Sequence, residues 1–360
     1  MVMSKRLAIL TGGGDCPGLN AVIRAVGKTA FESGCRLFGF LDGFSGLVEG
    51  RYRELDPLNV SGLVHRGGTI LGTNNRDNPF QYPITTDKGL EYRDCSSEAV
   101  SVFRSLELDV LICVGGDGTL GIARRLGLPV IGVPKTIDND LSATDRTFGF
   151  DTAVATATDA LDRLHTTAES HHRVMVLEVM GRYAGWIALY AGIAGGSDVI
   201  LIPEIAWSYE AVVEKLKARH QLRNFSTVVV AEGALTPDGE RVVRERIPGS
   251  GDPIRLGGIG HVVGRHIEEL TGIETRVTVL GHVQRGGSPT PYDRILATRF
   301  GVAAGRLAIA GQHDVMVSLR GETVVAVPLA QAVAAMRAVD TSGELVATAR
   351  AIGISFGDRP

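Results

Sequence analysis

Leu128-Pro129-Val130-Ile131-Gly132-Val133-Pro134-Lys135-Thr136-Ile137-Asp138-Asn139-Asp140 decides how this chain is read. Its first half is a short apolar run with the character of a strand. Its second half packs one hydroxyl, one ammonium and two carboxylates into the six residues Lys135 to Asp140. A strand ending abruptly in charged groups belongs to an open α/β sheet, whose ligands gather at the carboxyl ends of the strands. Carboxylates so close repel one another. They are tolerated where a metal, a cationic ligand or a proton to be abstracted makes the charge useful.

Outward from this stretch the same pattern recurs. Strands are expected at 6–11, 36–41, 110–114, 130–133, 174–179, 199–202, 227–231, 276–280 and 315–319. Helical patterns lie between them at 21–28, 97–107, 120–126, 152–165, 208–223 and 329–337. This alternation predicts α/β architecture with largely parallel sheets covered by helices. A change of domain is expected near Phe148–Asp151, a polar insertion over 236–252, and a weakly organised tail after Asp340.

Composition agrees. The chain has 360 residues, enough for two ordinary domains, with 46 glycines, 44% hydrophobic and only 6% aromatic residues. A net charge of −3 implies no basic face for nucleic acid. Cys16, Cys35, Cys95 and Cys113 show no metal-binding spacing and read as small buried hydrophobes in a reducing cytosol. The start of the chain lacks the apolar run of a signal peptide, and no run is long enough to span a bilayer. A soluble cytoplasmic protein is expected.

The chemistry concentrates in a few places. Gly12-Gly13-Gly14 turns from a strand into a helix and can form an anion site, although it has neither the dinucleotide nor the Walker spacing. Arg76 stands in the polar loop 65–80 among glycines that permit close approach to a ligand. Gly115-Gly116-Asp117-Gly118-Thr119 follows an apolar strand, so its glycines let backbone approach phosphates. Asp117 can hold Mg²⁺, an ion that prefers oxygen ligands and bridges phosphates, and Thr119 can cap the helix that follows. Asp138 is the candidate base for an acceptor hydroxyl, and Asp140 a candidate metal partner. Arg173, Arg182, Arg276 and Arg285, with His282, can clamp a phosphorylated substrate, and Glu232 can accept from a sugar hydroxyl.

In order along the chain stand Gly-Gly-Asp-Cys-Pro-Gly-Leu-Asn (13–20), Gly-Gly-Thr-Ile-Leu-Gly (67–72), Gly-Gly-Asp-Gly-Thr (115–119), Lys-Thr-Ile-Asp-Asn-Asp (135–140), Gly-Phe-Asp-Thr-Ala (149–153), Glu-Val-Met-Gly-Arg-Tyr-Ala-Gly (178–185) and Gly-His-Val-Gln-Arg-Gly-Gly-Ser-Pro (281–289). Through them the sequence resembles the 6-phosphofructokinases, from Gly12 to about Gly301. Gly-Gly-Asp-Gly-Thr alone would also fit NAD kinases or diacylglycerol kinases.

The resemblance implies two Rossmann-like domains with the active site in the cleft between them. One would comprise 1–149 with about 284–330 and bind ATP and Mg²⁺; the other, 150–283 with about 331–360, would bind the sugar phosphate. The implied reaction is phosphorylation of fructose 6-phosphate at its 1-hydroxyl, in glycolysis. Asp138, Thr136, Arg182 and Lys135 would be the catalytic group. Gly13, Arg76, Asp77, Gly116, Asp117, Gly118 and Thr119 would bind the donor, with Asp117 and Asp140 on the metal. Thr136, Asp138, Met180, Gly181, Arg182, Glu232, His282 and Arg285 would hold the sugar phosphate. Arg173 and Arg276 match arginines donated by a neighbouring subunit, which implies a homodimer or homotetramer.

The resemblance also frames the choice of donor. Pyrophosphate-using members carry an aspartate where this chain has Gly118, which favours ATP here. They also carry a lysine at the position of Lys135, which places the chain in a mixed subgroup. Pyrophosphate dependence is the alternative; a kinase of another sugar phosphate, or a non-catalytic nucleotide sensor, is a second. In the family's effector region Arg24, Lys28, Arg51 and Asp198 fit, whereas His165 and the run Arg219 to Arg223 depart from the pattern.

Overall fold

The structure is a computed structural model and describes residues 4–87, 89–246 and 254–359. Two sheets organise it. The larger has eight strands, in the spatial order Thr323–Pro328, Val315–Arg320, Val130–Thr136, Val110–Gly115, Arg6–Thr11, Arg36–Phe40 and Tyr52–Leu55, with the short strand Phe148–Gly149 paired to Lys135–Thr136. Its interior pairings are parallel; the outermost strand at each edge is antiparallel. The smaller sheet has four parallel strands, Val199–Leu201, Ser226–Ala231, Val174–Val179 and Thr275–Val279.

The interior strands of each sheet are buried on both faces, so they are apolar throughout rather than alternating, whereas edge strands such as Tyr52–Leu55 and Thr275–Val279 are partly exposed. Leu7 and Ile9 pack on one side of the large sheet, Ala8 and Leu10 on the other, all at 0% exposure. Each leucine or isoleucine so placed contributes roughly 2 kcal/mol of burial. In the smaller sheet Leu177 and Val179 face the core shared with the large sheet, and Val174 and Val176 face away from it.

Register then positions the loops. Thr11 lies opposite Val114, and Gly115 opposite Pro134. The three turns that follow, at Gly12, Gly116 and Ile137, therefore emerge side by side at one edge. Val179 lies opposite Ala231, and Val279 opposite Glu178, so Met180, Glu232 and Leu280 also leave together. The helix Phe150–His171 starts at the first edge and runs onto the smaller sheet.

Some expectations change. The expected helix over 329–337 stops at Ala332, because the backbone from Met336 onward bonds to other segments instead. The tail is not weakly organised: Glu344–Ala351 is a helix that buries Val346 and Ala349. The polar insertion, 236–252, carries the strand Val243–Arg246, which pairs with Ile254–Leu256 just beyond it, and its residues 247–252 lie outside the described residues. Residues 1–3, at the start judged to lack a leader, also lie outside. All four cysteines are buried and free. No helix among the described residues is long and apolar enough to cross a membrane.

Candidate active site

The strand Val110–Gly115 leads through Gly116, in extended conformation, into the helix Asp117–Arg125. Thr119 does not cap that helix, as expected of it; no side chain does, and Thr119 occupies the third helical position. It is 7% exposed and wedged against the glycine turns. A Cβ at Gly115 would lie 2.3 Å from Thr119 Cβ, and one at Gly12 would lie 2.7 Å from its Cγ2. The two turns touch because both positions are glycine. Gly13 is fixed from the other side: its N–H donates to Asn74 O at 3.1 Å and its carbonyl accepts the Thr73 hydroxyl at 2.6 Å. That contact also locates Arg76, which is exposed and whose N–H donates to Asn74 Oδ1 at 2.8 Å.

Lys135 is 4% exposed, and its Nζ donates to the Gly14 carbonyl. Burial pulls its ammonium below the ordinary value. Lys135 thus ties the last sheet-borne residues of its strand to the glycine loop. In the turn that follows, the Asp138 N–H donates to Thr136 Oγ1 at 3.0 Å, and the Thr136 hydroxyl donates to Asp138 Oδ2 at 3.3 Å. Asp138 Oδ1 is buried with no protein partner. Asn139 holds a left-handed φ of 53°, secured where its Oδ1 accepts the Thr147 N–H at 3.1 Å. Burial first, then Asp138 and Asp117, push the Asp140 carboxyl up to about 7.

From the smaller sheet comes the turn Met180-Gly181-Arg182. Arg182 also has a left-handed φ, 51°, and its N–H donates to Glu232 Oε1 at 3.1 Å. Its guanidinium reaches across to Asp117, at 3.6 Å. This contact joins the ends of the two sheets. Burial, with Asp138 next, pushes the Glu232 carboxyl up to about 7. Arg285 Nη1 donates to Asp15 O at 3.2 Å, so it too lies at the glycine loop. His282 is exposed on the same short 3₁₀ helix, Gly281–Arg285.

Two features escape the sequence reading. Gln284 is 0% exposed, and its Oε1 accepts the Met180 N–H at 2.8 Å, fixing the 281–285 segment to the Arg182 turn. Its place inside the run Gly281 to Gly287 was the only signal. Phe80 and Arg125 form the other feature: the guanidinium lies 3.9 Å from the ring centroid beside a cavity of about 660 Å³. Ser97 and Arg104 also line it. Arg125 ends the nine-residue helix that begins at Asp117, so it stands about 12 Å from Asp117.

Not all candidates converge. Arg173 and Arg276 both pair with Glu274, Arg173 at 2.6 Å. They lie at the amino ends of strands whose carboxyl ends carry the Arg182 turn and the 281–285 segment. Six strand residues at about 3.3 Å each put roughly 20 Å between Arg173 and Arg182. A single-chain clamp of all four arginines is therefore not formed. Among the effector-region residues, Arg51 pairs with Glu49 and Asp42, and Asp198 with Arg219 at 2.8 Å. His165 packs edge-on to Phe225 at 4.9 Å. Arg24 and Lys28 line a separate cavity of about 490 Å³.

Asp77 is occupied structurally. Its Oδ2 accepts the N–H groups of Phe44 and Ser45, at the start of the helix Phe44–Glu49. Burial pushes its carboxyl up to about 7 against an ordinary 3.8. The folded chain thus holds a proton that the unfolded chain releases, and stability from this group falls as pH rises from about 4 to about 7. Asp77→Asn keeps the acceptor and removes the ionisation. Its melting temperature should exceed that of the parent at pH 8 by a few degrees and match it near pH 4, as differential scanning fluorimetry would show. A variant that melts lower at pH 8 than at pH 4, relative to the parent, would reverse the sign.

With this geometry in place, comparison with known proteins is direct. The phosphofructokinase family model matches residues 6–308. The chain is 55% identical over 360 residues to a Chloroflexus aurantiacus protein named ATP-dependent 6-phosphofructokinase, covering 98% of each. It is 50% identical over 357 residues to a Streptomyces coelicolor protein named pyrophosphate–fructose 6-phosphate 1-phosphotransferase, covering 98% of this chain and 100% of that one. Among solved structures, the Pichia pastoris phosphofructokinase superposes with a TM-score of 0.79 at 32% identity; the match covers 98% of this chain but only 37% of that longer one. By a family model over most of its length and relatives identical at half of their positions or more, the chain belongs to the phosphofructokinase family.

Proposed function

We propose that this protein is a 6-phosphofructokinase that transfers the γ-phosphoryl group of ATP to the 1-hydroxyl of fructose 6-phosphate. The observation that carries the reading is Asp138 Oδ1, a buried carboxylate oxygen without a partner, on a residue whose charge acts on both Asp140 and Glu232. A buried acceptor left open is costly unless a donor arrives, and the acceptor hydroxyl of a sugar is such a donor. Asp138 takes the hydroxyl proton as the oxygen bonds to the γ-phosphorus. The bond from that phosphorus to the β–γ bridging oxygen breaks, and ADP leaves with the electron pair. Arg182 faces the developing charge, and Thr136 holds Asp138 in place.

The names of the relatives support both substrates. The fit to Mg²⁺ rests on the donor set. Among the described residues no three His, Cys, Asp or Glu side chains converge into a metal cage. Mg²⁺ is ordinarily held by one or two carboxylates together with substrate phosphates. Asp117 and Asp140, whose proximity helps raise the Asp140 carboxyl, would hold it there. When bound, it would bridge and neutralise donor phosphates.

The sugar phosphate would lie against Met180, Gly181, Arg182, Glu232, His282 and Arg285, and the donor against Gly13, Arg76, Gly116, Asp117, Gly118 and Thr119. The two sheets support the division into a donor domain, 1–149 with 284–330, and a sugar-phosphate domain, 150–283 with 331–360. Arg173 and Arg276 cannot reach their own chain's cleft, which supports their donation to a neighbour in a homodimer or homotetramer. Four free cysteines support a cytoplasmic location.

The donor follows from space. A Cβ at Gly118 would meet nothing within 4 Å, so room remains for the inner phosphates of a nucleotide. The cavity beside the Phe80–Arg125 stack, lined by serines, Arg104 and Arg125, stands at the far end of the Asp117–Arg125 helix, which supports it as room for the nucleoside. A coupled assay with fructose 6-phosphate should show turnover with ATP, and Gly118→Asp should lower kcat/KM for ATP by about 100-fold. Turnover with pyrophosphate and none with ATP would establish the second reading, which Lys135 and the Streptomyces coelicolor relative favour.

A further inference from the structure

The chain after the short helix Leu329–Ala332 runs as a strap from the large sheet toward the smaller one, and Arg337 is its junction. On one side it holds the loop that carries Asp138 and Asp140. The Arg337 N–H donates to the Asp140 carbonyl at 2.7 Å, and Leu141 pairs with Met336 in an isolated antiparallel bridge. The guanidinium donates to Asp145 O at 2.8 Å. The Ser142 hydroxyl lies 2.8 Å from Gln331 O. On the other side the strap holds the segment just after Arg182. The Trp186 indole N–H donates to Arg337 O at 3.0 Å, and the guanidinium stands 4.5 Å over the Trp186 ring. Glu204 Oε1 accepts both the Gly185 N–H, at 3.0 Å, and the Val339 N–H, at 2.9 Å.

The loop needs such a hold. Within five residues it contains two non-glycine positions with left-handed φ, Asn139 at 53° and Ala143 at 60°. Backbone of this kind costs of order 1–3 kcal/mol per residue and persists only where its surroundings over-determine it. One residue, Arg337, meets the base loop through its N–H and guanidinium and the Arg182 segment through its carbonyl and guanidinium. We propose that Arg337 is a positioning residue, and that the strap sets the distance between Asp138 and Arg182. This rests on the kinase reading for its kinetic consequence, but not for its structural one.

The test uses Arg337→Met, which keeps the apolar stem, Trp186→Phe, which loses only the indole N–H and part of the ring, and the double variant. Displacing the reacting groups by about 1 Å costs up to 100-fold, so Arg337→Met should lower kcat by roughly 10- to 100-fold while KM for ATP stays within about twofold. Arg337→Lys, which can still donate to the Asp145 carbonyl, should recover part of the loss. The Trp186 indole bonds to the Arg337 carbonyl, which Arg337→Met keeps, so Trp186→Phe should cause a loss of its own and the double variant should be slower than Arg337→Met. Amide hydrogen exchange over 138–145 should accelerate in Arg337→Met, with or without activity. Unchanged kcat at unchanged melting temperature, or unchanged exchange over 138–145, overturns the proposal. A parent protein inactive on fructose 6-phosphate, with exchange still accelerated in the variant, instead overturns the kinase reading and leaves the strap standing.

Discussion

Asp138→Asn should lower turnover by about 10²- to 10⁴-fold while leaving KM for fructose 6-phosphate near that of the parent. The asparagine preserves the shape of the side chain and an oxygen for the Thr136 hydroxyl, so the turn has no reason to open. What it removes is the ability to take a proton at the position of the unpartnered Oδ1. The base is used only as the hydroxyl attacks, so its loss appears in kcat rather than in ground-state binding. Steady-state kinetics with saturating ATP, together with direct titration of the sugar phosphate, separates the two. Turnover equal to that of the parent would remove Asp138 from the chemistry.

Gly233→Ala should be damaging for a different reason. The alanine Cβ would lie 1.7 Å from the Arg182 carbonyl oxygen and 2.9 Å from its carbon. Backbone on both sides of that contact is fixed, since Ala231 is in the sheet and the Arg182 N–H is bonded to Glu232. The turn must retreat by about 1 Å, in an interior packed as densely as a crystal. Arg182 would lose its approach to Asp117. We expect kcat/KM to fall about 100-fold and the melting temperature to drop by several degrees. Gly121→Ala is the control: a Cβ there meets nothing within 4 Å, and alanine favours the helix, so melting should not fall. A Gly233→Ala protein that melts and turns over like the parent would show the turn to be free to move.

Much of the site was legible because its chemistry is local. Lys135 to Asp140 and Gly115 to Thr119 are continuous in sequence, and strand-end logic alone places both at a sheet edge. The contribution of Asp77 was misjudged because a carboxylate next to Arg76 looks the same in sequence whether it faces a ligand or caps a helix 33 residues away. Thr119 shows the reverse case: its position at a helix start suggested a cap, while the neighbouring glycines turned it inward. The strap at 336–339 and the Phe80–Arg125 stack carry no motif at all.

The sequence by itself determined the interior strands of the sheets, but not Tyr52–Leu55, Phe148–Gly149 or Thr323–Pro328. Both faces of the interior strands are buried, so these strands read as unbroken apolar runs, and their polar ends mark the loops that carry chemistry. It determined the family too, since motifs along nearly the whole chain recur in order. Only the tertiary structure decided which charges meet. Arg182 reaches Asp117 across the cleft, whereas Arg173 and Arg276 gather on Glu274 at the far end of the smaller sheet. The physical reason is direction. A parallel strand has two ends roughly 20 Å apart, and an arginine just before it and another just after it are close in sequence yet cannot share a ligand within one chain.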